Sequence, residues 1–259
     1  MTASSFGIAA VSPLTRRGAL VTAGASLAAL LANPDKLRAA TSALELVTLT
    51  TMSGAKVVGA VARPAKASAL TVVIIHEWWG LNDQIKAVAA TLAEAGHTAV
   101  AVDLMNGSST DDPAKAKIQM AAVTPEGAGE TLHAWMIWAR QQTAKVATLG
   151  FCFGGGWSLN ASLADPADGT VIYYGNVDKK AGELATLKGP VLGHFASRDG
   201  YISPDMVHRF QEAMKAAGKR LTAYSYDADH GFANPTTARY DAPDAQMAWS
   251  RTAAFLGTL

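Results

Sequence analysis

Short apolar runs alternate with amphipathic segments along most of the chain. Leu70–Ile75 is apolar at nearly every position, which is typical of a strand buried on both faces. Residues 85–93, which follow, carry apolar side chains three and four positions apart, the spacing of a helix. Asn82 or Asp83 can cap this helix, and Gly96 can end it. Alternation of this kind predicts an α/β fold: a mostly parallel sheet with helices on both faces.

The same pattern continues to the end of the chain. Two β-rich runs at residues 46–51 and 56–63, split by Ser53-Gly54, predict an opening hairpin. Further strands are predicted at residues 98–102, 146–149, 171–174, 191–195 and 221–226, and further helices at residues 113–122, 126–142, 206–217 and 238–256. In such a sheet, ligands bind outside the carboxyl ends of the strands. We therefore expect the reactive residues in the loops that directly follow strands.

The first forty residues have a different character. Arg16-Arg17 precede a 17-residue uncharged stretch, residues 18–34, and small residues follow near position 40. The stretch is only mildly apolar and shorter than the about 20 residues of a membrane span. The pattern predicts that residues 1–40 are an export signal of the twin-arginine type and residues 44–259 the domain, found in the periplasm or outside the cell. The alternative is an N-terminal helix with a solvated arginine pair.

Composition narrows the function classes. The chain has 259 residues, of which 49% are hydrophobic and 17% charged, which excludes an intrinsically disordered protein. The formal net charge of +1 gives no electrostatic footprint for nucleic acid or for anionic membrane. We expect a monomer that acts on a small molecule and inserts stably into no membrane once the signal is removed. The single cysteine, Cys152, excludes an intrachain disulfide and a cysteine-rich metal cluster.

Cys152 lies in a glycine-flanked motif. Residues 150–154 have the sequence Gly-Phe-Cys-Phe-Gly and follow a predicted strand. This is the strand–turn–helix elbow that presents a nucleophile, with cysteine in place of serine. A Cβ atom at Gly150 or Gly154 would collide with the neighbouring strand and helix. The elbow places Cys152 at a helix N-terminus, which favours a thiolate. The alternative is a buried, unreactive thiol.

A thiol nucleophile needs a base, and the base needs an orienting acid. Asp199 and His230 each follow a predicted strand, and the order Cys152, Asp199, His230 is the one expected for this type of fold. Asp178 and Asp229 are competing acids, because one follows an earlier strand and the other adjoins the histidine. The other histidines that we considered as bases lie at the wrong sheet edge, within helices or within a strand: His97, His133, His208 and His194.

Acyl transfer also needs two N–H donors for the developing oxyanion. The amide of Phe153 is one, and the amide of Trp78, in the loop after the Leu70–Ile75 strand, is the other. We count Glu77, in the same loop, among the catalytic residues, because burial would raise the pKa of its carboxyl; the alternative is a surface glutamate. His76-Glu77 begins like a zinc-binding motif, but Gly80 stands where the second histidine is required.

Several motifs together resemble the dienelactone hydrolase family, the cysteine branch of the α/β-hydrolases. The resemblance is carried by residues 73–82, 92–97, 101–104, 150–155 and 229–232, together with Asp199. It implies a Cys152–His230–Asp199 triad without metal or organic cofactor. It also implies that Glu77 interacts with the resting thiol and is displaced when substrate arrives. The implied substrate is an ester or enol-lactone, opened through a thioester acyl-enzyme that water hydrolyses.

The chain departs from the family at the substrate carboxylate. Lactone-cleaving members grip it with two arginines, but residues 105–110 contain none and Asn234 stands after the triad histidine. Arg239 is only a distant substitute. We therefore expect a neutral, apolar or aromatic acyl group rather than dienelactone, with Trp79, Asn234 and Trp157 as candidate substrate contacts. The tryptophans fit ordinary core equally well. A silent ligand-binding module on the same fold, or a redox role for the thiol, are the alternative functions.

Overall fold

The computed structural model of the chain describes residues 29–259. Within them, eight strands form one sheet in the order β1-β2-β4-β3-β5-β6-β7-β8. The strands are β1 (Glu45–Thr50), β2 (Lys56–Ala62), β3 (Leu70–Ile75), β4 (Thr98–Val102), β5 (Lys145–Phe151), β6 (Gly169–Tyr173), β7 (Val191–Ala196) and β8 (Leu221–Tyr226). The helices are α1 (Pro34–Ser42), α2 (Asp83–Glu94), α3 (Pro113–Ala121), α4 (Pro125–Gln142), α5 (Phe153–Ala164), α6 (Pro204–Ala216) and α7 (Ala242–Leu256), with a 3₁₀ turn at Glu183–Thr186.

The sheet is parallel except at one edge. β1 pairs antiparallel with β2, and β2 pairs antiparallel with β4, whereas every other neighbouring pair is parallel. The predicted hairpin is confirmed, since Thr50 lies opposite Lys56 across a turn in which Gly54 has a φ of 89°. The predicted mostly parallel sheet is confirmed as well. It brings the carboxyl ends of β3, β5, β6, β7 and β8 to a single edge.

Helices cover both faces of the sheet. On one face, α2 and α7 pack on the strands, with Ile85 and Trp249 in the same apolar cluster. On the other face, α4 carries Trp135, which is fully buried against β2 and β4. Burying one large apolar side chain stabilises a fold by about 1.5–3 kcal/mol. The two layers therefore give the site at the sheet edge a rigid support.

Element boundaries differ from the sequence-based ones by a few residues. The last helix begins at Ala242 rather than at residue 238, because the Asp241 side chain accepts a hydrogen bond from the Asp244 amide and caps it there. Asn82 caps α2 through a bond from the Ile85 amide, as one of the two predicted alternatives.

The predicted export signal lies mostly outside the described residues. Its last part overlaps α1, a helix that contains no buried residue. The cleavage near position 40 and the export of the protein stay predictions. Among residues 29–259, no helix is both long and apolar enough to cross a membrane.

Candidate active site

Cys152 occupies a strained turn between β5 and α5. Its φ of 53° and ψ of −118° lie outside the regions that side chains with a Cβ prefer. A Cβ on Gly150 would lie 1.9 Å from the Gly154 carbonyl oxygen, and one on Gly154 would lie 2.3 Å from the Ile75 carbonyl oxygen. The steric prediction for the two flanking glycines is therefore confirmed, and the turn lifts the Cys152 side chain out of the sheet.

The three residues expected to act together lie within hydrogen-bonding distance. His230 Nε2 is 3.0 Å from Cys152 Sγ, and His230 Nδ1 is 2.7 Å from Asp199 Oδ2. Asp199 follows β7 and His230 follows β8, so both come from loops at the carboxyl edge. The competing acids pair elsewhere, Asp178 with an arginine at 3.9 Å and Asp229 with another at 3.4 Å.

The Asp199 carboxylate is held in its charged form. Burial by itself would raise the pKa of Asp199, but hydrogen bonding to His230 and to the Ile202 and Tyr201 amides outweighs burial and lowers it. The two amides donate to Oδ1 at 2.9 and 2.8 Å. Asp199 is thus fixed as a hydrogen-bond acceptor for the imidazole.

The isolated thiol is protonated. Burial and the negative charge of Glu77 raise the pKa of Cys152 to about 12, although bonding to the Phe153 and Trp78 amides opposes them. The helix N-terminus alone would favour the thiolate, but desolvation has the larger effect and favours the protonated thiol. The sulfur becomes nucleophilic only when a base takes its proton, and His230 Nε2 is in contact with it.

The two predicted oxyanion donors lie beside the sulfur. The backbone N–H groups of Phe153, at the start of α5, and of Trp78, in the loop after β3, both favour the thiolate and lower the pKa of Cys152. That loop is fixed from outside, because Gln119 Nε2 donates to the Trp78 carbonyl at 2.7 Å and the Thr110 amide donates to the Trp79 carbonyl at 3.0 Å. The arrangement offers two amides to a carbonyl oxygen attacked by the sulfur.

Glu77 is buried, so the surface-glutamate alternative does not hold. Burial raises the pKa of Glu77, against hydrogen bonds from Asn234 and Tyr174. The Tyr174 hydroxyl donates to Oε1 at 3.1 Å, and Asn234 Nδ2 donates to Oε2. The hydrogen bond of the thiol is with His230 and each Glu77 oxygen has another donor, so the interaction of Glu77 with the thiol here is that of its charge, which raises the Cys152 pKa.

A cavity of about 700 Å³ opens over the sulfur. Its wall includes the aromatic rings of Trp78, Phe153 and Trp157, so the expectation for Trp157 as a lining residue agrees with its position. The candidate contacts Trp79 and Asn234 do not line it. Asn234 is fully buried beneath the site, and its amide is bonded to Glu77 rather than directed at the cavity. Its expected role as a direct substrate contact is corrected accordingly.

Sequence reasoning missed Tyr174 and Gln119. Tyr174 follows β6 with a φ of 37°, lines the cavity and places its ring 5.2 Å from that of His230. Its position directly after a strand could have identified Tyr174 as a site residue, but in the sequence it looks like a core residue at the end of an apolar run. Gln119 lies on α3 and reaches the site only through tertiary packing, so its sequence context carries no signal.

The other histidines that we considered have structural partners or lie apart from the site. His194 is fully buried in β7, with Nδ1 2.8 Å from the Tyr226 hydroxyl and Nε2 3.0 Å from Thr252 Oγ1. His133 Nδ1 lies 2.9 Å from Asp165 on the protein surface. Among residues 29–259, no group of three or more histidine, cysteine, aspartate or glutamate side chains is arranged to hold a metal ion.

Comparison with known proteins gives consistent results. A model of the dienelactone hydrolase family matches residues 57–259. Carboxymethylenebutenolidase from Pseudomonas putida is 27% identical over 212 residues, covering 77% of this chain and 90% of that protein. A crystal structure of a candidate dienelactone hydrolase from Klebsiella pneumoniae is 25% identical with a TM-score of 0.74, covering 84% of this chain and all of that one. A bacterial brefeldin A esterase, 16% identical with a TM-score of 0.67 and covering 97% and 89%, shares the fold. The architecture is the α/β-hydrolase fold.

Proposed function

Because this chain belongs to the dienelactone hydrolase family and is a hydrolase of the ester or lactone type, we propose that it opens small carboxylic esters or lactones with Cys152 as nucleophile. In this proposal His230 is the base and Asp199 the acid that orients it. The observation that carries the proposal is the continuous contact from Sγ to Nε2 at 3.0 Å and from Nδ1 to Oδ2 at 2.7 Å. The geometry satisfies the general requirement for an activated nucleophile.

The proposed reaction has two halves. The Cys152 proton moves to His230 Nε2 while the sulfur attacks the carbonyl carbon, and the Phe153 and Trp78 amides bind the oxygen that becomes negative. The tetrahedral intermediate collapses to a thioester, and the leaving alkoxide takes the proton from the imidazolium. A water molecule then gives a proton to His230 and attacks the thioester, which releases the carboxylic acid and restores the thiol.

The aromatic wall of the cavity supports a neutral, apolar or aromatic acyl group, although Lys179 and Arg239 also line the cavity. Trp78, Phe153 and Trp157 form its aromatic wall, whereas the carboxylate-binding arginines of the lactone-cleaving relatives have no counterpart in residues 105–110 or at Asn234. The Pseudomonas putida relative is named for a carboxymethylenebutenolide, and we propose related chemistry on a differently charged substrate. The proposal requires neither metal nor organic cofactor.

Replacing the nucleophile or the base tests the function. We expect Cys152→Ala and His230→Ala each to lower kcat/KM for a neutral p-nitrophenyl ester by about 10³-fold or more, because each removes a group that acts in bond formation. His208→Ala is the matched control, since His208 is exposed on α6. Circular dichroism checks that the variants fold. Full turnover by either active-site variant would overturn the proposal.

A further inference from the structure

His76 is a buried histidine at the end of β3, and the proposed reaction gives it no part. We propose that His76 is a positioning residue that orients the Glu77–Trp78 peptide group, so that the Trp78 N–H points at the oxygen that becomes negative. The inference rests on the proposed function, in which the Phe153 and Trp78 amides bind that oxygen. It names the side chain that determines the direction of one of these two donors.

The partners of the two ring nitrogens determine the tautomer of His76. Nδ1 lies 2.6 Å from the Glu77 carbonyl oxygen, which can only accept, so Nδ1 carries a proton. Nε2 lies 3.1 Å from the Leu104 backbone nitrogen, whose N–H can only donate, so Nε2 carries none. Burial lowers the pKa of the imidazole, although the bond to Glu77 and the charge of Asp103 oppose burial. The ring is therefore neutral, with one N–H group directed at Glu77.

The ring of His76 is anchored from the neighbouring strand. β3 and β4 pair in parallel, so the residues that follow them lie side by side. Leu104 follows β4, and the turn that presents its amide is closed by the Asp103 carboxylate, which accepts from the Met105 amide at 2.7 Å and from the Gly107 amide. The nearer Asp103 oxygen is 4.0 Å from Nε2, beyond hydrogen-bonding distance. The Leu104 amide thus fixes the direction of the ring.

The Glu77–Trp78 peptide group transmits this direction to the site. The peptide group is trans and planar, so its C=O and N–H bonds point to opposite sides. A donor that holds the Glu77 oxygen on one side directs the Trp78 N–H to the other side, and this N–H favours the Cys152 thiolate. The Gly80 amide donates to the same oxygen at 3.2 Å, so two donors hold the peptide group and the bond from His76 is the shorter.

Loss of the His76 bond should act on the transition state. Removing one oxyanion donor lowers kcat by about 10²–10³-fold, because the donor meets a full charge only when the tetrahedral intermediate forms. The Gly80 bond still restrains the peptide group when His76 is replaced, so we expect only part of this loss. An interaction made chiefly in the transition state changes kcat and leaves KM nearly unchanged.

The test compares two variants of His76 with the wild-type protein. His76→Leu has no donor, whereas the side-chain NH₂ of His76→Asn can occupy the position of Nδ1. Neither has an acceptor at the position of Nε2, so both lose the bond from Leu104 and their difference isolates the bond to Glu77. With a neutral p-nitrophenyl ester at pH 7.5, we expect His76→Leu to lower kcat by about tenfold or more with KM within about twofold. We expect His76→Asn to keep kcat within about threefold of wild type, because it keeps the donor.

Alkylation of Cys152 by iodoacetamide separates the oxyanion from the thiol. The thiolate displaces iodide from carbon, and no oxygen becomes negative in that step. His76→Leu should therefore be alkylated within about threefold of the wild-type rate, since only the weaker bond of the Trp78 N–H to the thiolate slows it. A loss in the alkylation rate as large as the loss in kcat would overturn the inference, because His76 would then support the whole site.

The remaining outcomes also decide the inference. A wild-type kcat in His76→Leu would overturn it, and so would equal losses in the leucine and asparagine variants. If His76→Leu does not fold, long-range proton–nitrogen NMR of the wild-type protein gives the tautomer, with the His76 signals assigned as those that His76→Asn lacks. A proton on Nδ1 alone supports the inference, and a proton on Nε2 would overturn it. Absence of ester turnover in the wild-type protein would instead overturn the proposed function, so the two failures are distinguishable.

Discussion

Two buried carboxylates act on the reactive pair, and their pKa values shift in opposite directions. Burial acts on both in the same direction, yet the pKa of Asp199 is lowered and that of Glu77 is raised. Asp199 contacts the imidazole of His230 through one oxygen and two backbone amides through the other. Glu77 is bonded to a phenol and to a side-chain amide, both of which are neutral.

The difference shows that hydrogen-bond donors can outweigh burial in setting the charge of a carboxylate, as they do for Asp199 and do not for Glu77. Hydrogen bonds to charged groups are worth about 1.5–3 kcal/mol, and an imidazole that becomes positive during the reaction adds Coulomb attraction. Asp199 is thus suited to stabilise a cation that forms and disappears. Glu77 has no such partner in direct contact, so its ionisation is disfavoured by its surroundings.

The largest expected effect comes from removing the Asp199 charge. Asp199→Asn should lower kcat/KM for a neutral p-nitrophenyl ester by about 10³–10⁴-fold, because an amide favours the wrong imidazole tautomer and leaves the imidazolium without its counter-charge. Steady-state kinetics at pH 7.5 measures it. Asp178→Asn is the control, since Asp178 also borders the cavity but pairs with Arg209. If kcat/KM fell by less than about tenfold in Asp199→Asn, Asp199 would not be the carboxylate that stabilises the imidazolium.

The contributions of Asp199 and Glu77 to thermal stability should change in opposite directions as the pH rises. Because the folded pKa of Asp199 is lowered, its contribution is present above the unfolded value of about 3.9 and is lost as the pH falls through the folded pKa. Because the folded pKa of Glu77 is raised, its contribution is present below about 4.3 and is lost as the pH rises through the folded pKa.

Melting temperatures from about pH 3 to 7 therefore give a direct comparison. As the pH rises, wild type should gain stability relative to Asp199→Asn and lose stability relative to Glu77→Gln. Each difference should be on the order of a few degrees, since about 1 kcal/mol shifts the Tm of a domain of this size by about 2–4 °C. Two curves that move in the same direction would contradict the opposite pKa shifts.

The smallest expected effect belongs to Arg239. Burial raises the pKa of Glu77, and the charge of Arg239, an exposed residue at the cavity, opposes it weakly. Arg239→Gln should raise the midpoint of the Glu77-dependent Tm change only slightly, because solvent screens an exposed charge. Turnover of a neutral ester should stay within about twofold, as in the control Lys179→Gln. A tenfold loss with the neutral ester would instead give Arg239 a direct part in binding it.

Much of the architecture follows from the sequence because each element is determined locally. The apolar run of β3, the cap at Asn82 and the glycines around Cys152 each have one favourable local conformation. The juxtaposition of Cys152, Asp199 and His230 follows as well, because residues that end parallel strands meet at one sheet edge. These predictions need no knowledge of how distant side chains pack.

The environment of Glu77 could not be predicted in this way. Asn234 is 157 residues away from it and Tyr174 is 97 residues away. Whether an asparagine after the histidine faces the cavity or the carboxylate depends on the turn at Thr236 and on burial, neither of which has a periodic signature. The opposite pKa shifts of the two carboxylates belong to the same category, because they arise from tertiary hydrogen bonds.

The sheet order has a consequence for how activity arises during folding. The nucleophile comes from the middle of the chain, whereas its base follows β8, the strand at the far edge. No amino-terminal fragment ending before β8 contains His230, and closing loops of this length is slow compared with forming local helices. Ester turnover during refolding should consequently recover later than helical content, and chains stalled partway through synthesis would be catalytically silent.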